Sequence, residues 1–311
     1  MYRKMLVPLD GSGFAEVVLP YAKELAARLD IEVVLLHIVR PEERGFFTPI
    51  HRAYIKETVD TIRRQARRVQ TNSGIPPDTK PIQVYGEMVV GYPDEEIPRY
   101  ADTGAIDLIL IATHGSTGAK HWALGHVAEK ILRQSRVPVS LVRAGVPGAT
   151  PYDRWPQKTI LAPLDGSELA ESVLPHIEAL ARQRGEACNV TLIRVCEPPV
   201  IPSYYASEFS GVPLNWGQSV QQETDQCQEM SEEYLSGIEK RLKDKNISVR
   251  SEILTGRASD EIIGYATKNP FSLIAMTTHG RSGLRRLVYG SVAESVLLGS
   301  SNPIFLVRIS K

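Results

Sequence analysis

The chain has 311 residues, with 36 Lys plus Arg against 36 Asp plus Glu, 42% hydrophobic and 23% charged residues. That length and composition indicate two globular domains, and the charge balance excludes broad non-specific attraction to nucleic acid or anionic membrane. Its three cysteines, Cys188, Cys196 and Cys227, form no CxxC pair, so neither a disulfide framework nor a zinc site is expected, and a reducing, cytoplasmic setting is the simplest reading.

Along the chain, short runs rich in Val, Ile and Leu alternate with helical patterns. The N-terminal run reaches Asp10 quickly and is too short for a signal peptide, and no later run approaches a membrane span. Strands are expected at 3–9, 32–39, 80–85, 106–112 and 138–143. Helices are expected at 14–29, where Val17, Val18, Tyr21, Ala22, Leu25 and Leu29 share a face, and at 51–72, 93–103 and 123–135. The basic run "RRQARR" (63–68) is a solvated helix face. A segment rich in Pro and Gly follows, and then the pattern repeats. "MLVPLDGSGFAEVVLP" (5–20) matches "ILAPLDGSELAESVLP" (160–175), and "VPVSLVR" (137–143) matches "NPIFLVR" (302–308). Asp10 pairs with Asp165, His114 with His279 and Gly125 with Gly290. The spacing between these markers is longer in the second copy, which puts an insertion at 197–220. A helical stripe of Cys227, Met230, Tyr234, Ile238 and Leu242 is expected in 218–244. The reading is two copies of one domain, 1–144 and 157–311, joined by a linker at 145–156. The βα alternation predicts parallel, doubly wound sheets, whose ligands sit at the carboxyl ends of strands where strand order reverses.

Two motifs fall at those ends. "PLDGS" follows the first strand of each copy (8–12 and 163–167). Its Asp suits a ribose hydroxyl or exocyclic amine, while Asp and Ser are equally natural helix caps; both roles stay open. "THG" follows the fourth strand of each copy. In the second copy, Gly280 permits close backbone approach, and Gly290 and Ser291 open a helix whose N–H groups and dipole suit phosphate. Arg281, Arg285 and Arg286 between them could neutralise charge. As single features these glycines would be turn residues and Ser291 an ordinary cap; their recurrence in two repeats, each beside a PLDGS segment, is more specific. No phosphate loop of the G-x-x-x-x-G-K-[ST] type and no G-x-S-x-G elbow occurs, and "GSGFAE" lacks the third Gly of a dinucleotide fingerprint. His114, His121 and His126 cluster in the first copy, but the second keeps only His279, which argues against a metal site. No residue is assigned a catalytic role.

Together these residues resemble the universal stress protein family in its tandem form. The resemblance rests on PLDGS, on the strand ends LLHIV and LIRVC, and on a G-x-x-G-x9-G-[ST] segment that marks family members binding ATP. It covers about 2–143 and 157–309. It implies, for each copy, a five-stranded parallel sheet of order 3-2-1-4-5 with helices on both faces. It also implies pairing of the two copies through their last strands as an internal pseudo-dimer, with a further homodimer left open. By position, the second copy offers Pro163, Asp165 and Val195 for the nucleoside, and Thr277, Gly280, Gly290, Ser291 and Val292 for the phosphates. Thr277 stands where the pattern has its first Gly. The first copy offers Pro8, Asp10, Val39, Ala112, Gly115, Gly125, His126 and Val127, and departs at Ala112 and His126. An imidazole at His126 fills space that a phosphate would use, so the second domain is the expected main site and the first a weak one. The implied ligand is ATP with Mg2+, and the implied role is a non-enzymatic stress-response module whose protein partner the residues do not name. A slow ATP hydrolase and a ligand-free scaffold are the alternatives.

Overall fold

A computed structural model of the chain describes residues 2–43, 45, 48–76, 81–115, 124–146, 149–199, 216–278 and 289–308. The first half contains β1 (Lys4–Leu9), α1 (Leu19–Leu29), β2 (Glu32–Val39), α2 (Thr48–Asn72), β3 (Val84–Val90), α3 (Pro93–Thr103), β4 (Leu108–Ala112), α4 (His126–Gln134) and β5 (Val139–Val142). The second half contains β6 (Lys158–Pro163), α5 (Glu168–Glu171), α6 (Leu174–Ala181), β7 (Cys188–Cys196), α7 (Trp216–Lys243), β8 (Ser248–Thr255), α8 (Ala258–Lys268), β9 (Ser272–Thr277), α9 (Ser291–Gly299) and β10 (Ile304–Val307).

The strands form one ten-stranded sheet, β3-β2-β1-β4-β5-β10-β9-β6-β7-β8. Each half has the expected order 3-2-1-4-5. Within each half every pairing is parallel, while β5 and β10 meet antiparallel, with Phe305 opposite Ser140. The inner strands are buried on both faces, which is why they read as unbroken apolar runs. Met5, Val7 and Leu9 pack with α1 and α2 residues on one face, and Leu6 packs with α3 and α4 residues on the other.

Three expectations need correction. The third strand is Val84–Val90, not 80–85. It is an edge strand, half exposed, and Gly86 and Glu87 interrupt its apolar run. On α7 the buried stripe is Ser231, Leu235, Ile238 and Leu242, whereas Met230 is 65% exposed. Between the two halves, Tyr152 and Trp155 are buried, and Tyr152 stacks on Tyr21 of α1 at 4.3 Å between ring centroids. Finally, Cys196 and Cys227 are joined as a disulfide, 31 residues apart in sequence. No CxxC spacing could signal it, because the partners come from a strand end and a separate helix. Cys188 is free and buried, and burial pushes its thiol up to about 12. The insertion at 197–220 lies largely outside the described residues.

Candidate functional site

Each half carries a cleft at the carboxyl ends of its strands, beside the point where strand order reverses. In the second half the cleft is about 250 Å³. Pro163 and Asp165 come from the end of β6, Val195 from β7, Thr277 from β9, and Gly290, Ser291 and Val292 from the start of α9; all seven line it. Gly280, His279 and the loop arginines Arg281, Arg285 and Arg286 lie outside the described residues. Ile193, Ala258, Ile262 and Met276 also line the cleft. Ala258 and Ile262 sit four apart on α8, a spacing that puts them on one face, but nothing in the sequence aims that face at this cleft.

The PLDGS turn resolves into a division of labour. The Ser167 hydroxyl accepts a hydrogen bond from the Ala170 amide at 3.1 Å and so caps α5. Asp165 in turn accepts from the Ser167 amide at 3.0 Å and the Ser167 hydroxyl at 2.6 Å. The first copy repeats this, with Ser12 accepting from the Ala15 amide at 3.2 Å and donating to Asp10 at 2.6 Å. The turn needs glycine: Gly11 and Gly166 have φ of +83° and +81°, a region that side chains disfavour.

At the far wall, α9 begins on Gly290 with no side-chain cap. The Gly290 amide donates to the Thr278 carbonyl at 2.7 Å, which fixes where the helix starts. Its first-turn N–H groups have no acceptor within the helix, and they open onto the cleft opposite Asp165. In the first copy Gly125 does the same against Thr113 at 2.9 Å. A Cβ there would sit 2.9 Å from the Thr113 carbonyl oxygen, so only glycine lets the helix start this close to the strand.

The first cleft is larger, about 540 Å³. Pro8, Asp10, Ala112, Gly115, Gly125, His126 and Val127 line it; Val39 does not. Strand register explains the correction. Pro8 lies opposite Leu36 and Pro163 opposite Ile193, so Val195 corresponds to Ile38, and Val39 corresponds to Cys196. A one-residue slip turns the side chain to the other face, and Ile38 lines the cleft instead. The same register equates His37 with Arg194. His37 donates from Nδ1 to the Leu9 carbonyl at 2.8 Å, as Arg194 does to Leu164 at 3.4 Å. His37 Nε2 then accepts from His51 Nδ1 at 2.7 Å. Burial lowers the His37 pKa, the bond to Leu9 opposing it. His114 is also lowered, by burial and then by the positive Arg143. His51, Arg40 and Glu43 line this cleft and carry no motif that would have marked them; His37, inside LLHIV, lines it too. Among the described residues no cluster of three or more His, Cys, Asp or Glu could hold a metal ion. Among those same residues no helix is long and apolar enough to cross a membrane.

Comparison with known proteins agrees with the repeat. The Universal stress protein family model matches residues 1–143 and again 157–308. Universal stress protein MJ0577 of Methanocaldococcus jannaschii is 29% identical across 46% of this chain and 96% of its own. Universal stress protein Rv2623 of Mycobacterium tuberculosis is 21% identical across 98% of this chain and 96% of its own. Among solved structures, a universal stress protein from Archaeoglobus fulgidus superposes with a TM-score of 0.59 at 20% identity, covering 98% of each chain, a likeness of fold. The two family matches within one ten-stranded sheet establish that the chain belongs to the universal stress protein family, as a tandem of two such domains.

Proposed function

We propose that the chain binds ATP in its second cleft and acts as a non-enzymatic module whose nucleotide-dependent state is read by a partner. The observation that carries this reading is the uncapped start of α9 at Gly290 and Ser291, which turns N–H groups and a positive helix end into a cleft. Across that cleft stand Asp165, for ribose or adenine, and the apolar Val195 and Met276, for the base. Pro163, Thr277 and Val292 complete the wall, with Gly280 assigned by the family pattern. Mg2+ would arrive on the phosphate oxygens, since the described residues offer no cluster of their own for it. Hydrolysis stays the alternative, since His279, the nearest candidate base in the sequence, lies outside the described residues. The domain limits proposed are 1–144 and 157–311, with 145–156 between them.

The first cleft is proposed as the weaker site. His126 occupies the first helical position of α4, where α9 has Ser291. The larger volume of the first cleft runs the other way, so the asymmetry rests on side-chain chemistry at the helix start rather than on space.

The test is the Gly290→Val variant. A branched side chain at the helix start would stand between the phosphates and the N–H groups, so ATP affinity should fall by at least about tenfold with far-UV circular dichroism unchanged. Unaltered affinity in calorimetry would remove the phosphate assignment. ADP accumulating with time in the wild-type protein would instead support the hydrolase, and no binding of Mg-ATP the scaffold.

A further inference from the structure

The antiparallel seam has a geometric consequence. In each half a short connection leads from a helix into the last strand, so the C-terminal end of α9 lies at the start of β10. Antiparallel pairing brings the end of β5 to that same place. The residue that follows β5 is Arg143. Its Nη2 donates to the Leu297 carbonyl at 2.7 Å and to the Leu298 carbonyl at 3.1 Å. These are last-turn carbonyls that the helix itself leaves unpaired, the Val296 carbonyl being taken by the Ser300 amide at 2.9 Å. The arrangement is reciprocal. Arg308, which follows β10, donates through Nη1 to the Arg133 carbonyl and, at 3.5 Å, to the Ser135 carbonyl, at the C-terminal end of α4. So each arginine caps a helix of the other half, and each capped helix begins at the other half's cleft.

We infer that Arg143 and Arg308 are crossed positioning residues, Arg143 holding the helix that opens onto the second cleft and Arg308 the one that opens onto the first. This rests on the nucleotide reading above and goes beyond it by assigning control of each site to the opposite domain. A guanidinium at a helix C-terminus satisfies carbonyls and complements the negative helix end. α9 is nine residues long, so displacement of its last turn carries to its first. Arg143 is half-buried, whereas Arg308 is exposed, so the Arg143 contact is the stronger of the two.

The experiment compares Arg143→Gln, Arg308→Gln and Arg143→Lys in the full chain, by amide hydrogen exchange without nucleotide and by calorimetry with Mg-ATP. Arg143→Gln should speed exchange in the last turn of α9 and leave α4 unchanged, and it should weaken ATP binding at the second cleft by roughly three- to tenfold. Arg308→Gln should speed exchange in α4 only and leave second-cleft affinity unchanged. Arg143→Lys keeps the charge and should recover part of the affinity. Faster exchange in the variant's own domain, or equally in both helices, overturns the crossed assignment. Crossed exchange with unchanged affinity overturns the control of binding while leaving the nucleotide reading intact. A wild-type chain that binds no ATP defeats the nucleotide reading itself, and with it the control of binding, whereas the exchange pattern still decides whether each arginine holds the opposite helix.

Discussion

His37 shows how one side chain can be legible as core and opaque as chemistry. Its place in the run LLHIV reads as a buried strand position, and it is 2% exposed. Its bonds to Leu9 and His51 come from β1 and α2, so only the fold reveals them. The same holds for Val39, assigned to the first cleft from a strand-end pattern that does not specify register. Asp10 and Asp165 left two roles open; the structure gives the cap of α5 to Ser167, has Ser12 make the matching turn bond to the Ala15 amide, and leaves each Asp bracing its turn. Titration of the buried histidines follows. His37, His114 and His176 are all held below their ordinary value of 6.5, chiefly by burial. The unfolded chain therefore takes up protons that the native chain refuses. Stability is full above about pH 6.5 and falls as pH drops through that value toward the native pKa values. Melting temperature should decline between about pH 7 and pH 5, and His37→Asn should flatten part of that decline. A variant with the wild-type slope would show that His37 contributes nothing to it.

At the scale of elements, the helices and inner strands were legible because their periodicity is strong. α3 begins and ends where its pattern does, and β2 likewise. Elements at the margins were not. β3 lies at the sheet edge, where polar residues are tolerated. On α7 the inward face includes Ser231, whose hydroxyl donates to the Cys227 carbonyl at 2.6 Å, so the buried stripe was not purely apolar. The capping roles of Arg143 and Arg308 depend on a pairing between strands far apart in sequence; the recurrent "LVR" was visible, but its target was not. The cap of α5 offers a direct check. Ser167→Ala removes the acceptor for the Ala170 amide and a donor to Asp165. It should cost about 0.5–2 kcal/mol in urea unfolding and also weaken ATP binding, because Asp165 loses its brace. Lost stability with unchanged affinity would separate the cap from the site.

For the whole molecule, the repeat announced two domains, and the sheet joins them into one body. The seam carries more than β5 and β10. Buried Glu24 and Arg28 of α1 meet Lys158 and Glu186 of the second half: Arg28 lies 2.6 Å from Glu24 and 3.1 Å from Glu186, and Lys158 lies 2.9 Å from Glu186. Nothing in local sequence marks this network, since its members come from both repeats. Lys158→Ala leaves Arg28 between two carboxylates, so its cost should fall below the roughly 3–5 kcal/mol of a wholly unpaired buried charge, at about 2 kcal/mol. Urea unfolding measures it, and a change under about 0.5 kcal/mol would mark the network as energetically idle. The two clefts of the repeat differ at the helix start, the second opening onto Ser291 and the first onto His126. Calorimetric titration of the intact chain with Mg-ATP tests that asymmetry most directly. Saturation near one ATP per chain is expected, with any second binding event much weaker. No binding, or two events of equal affinity, would contradict it.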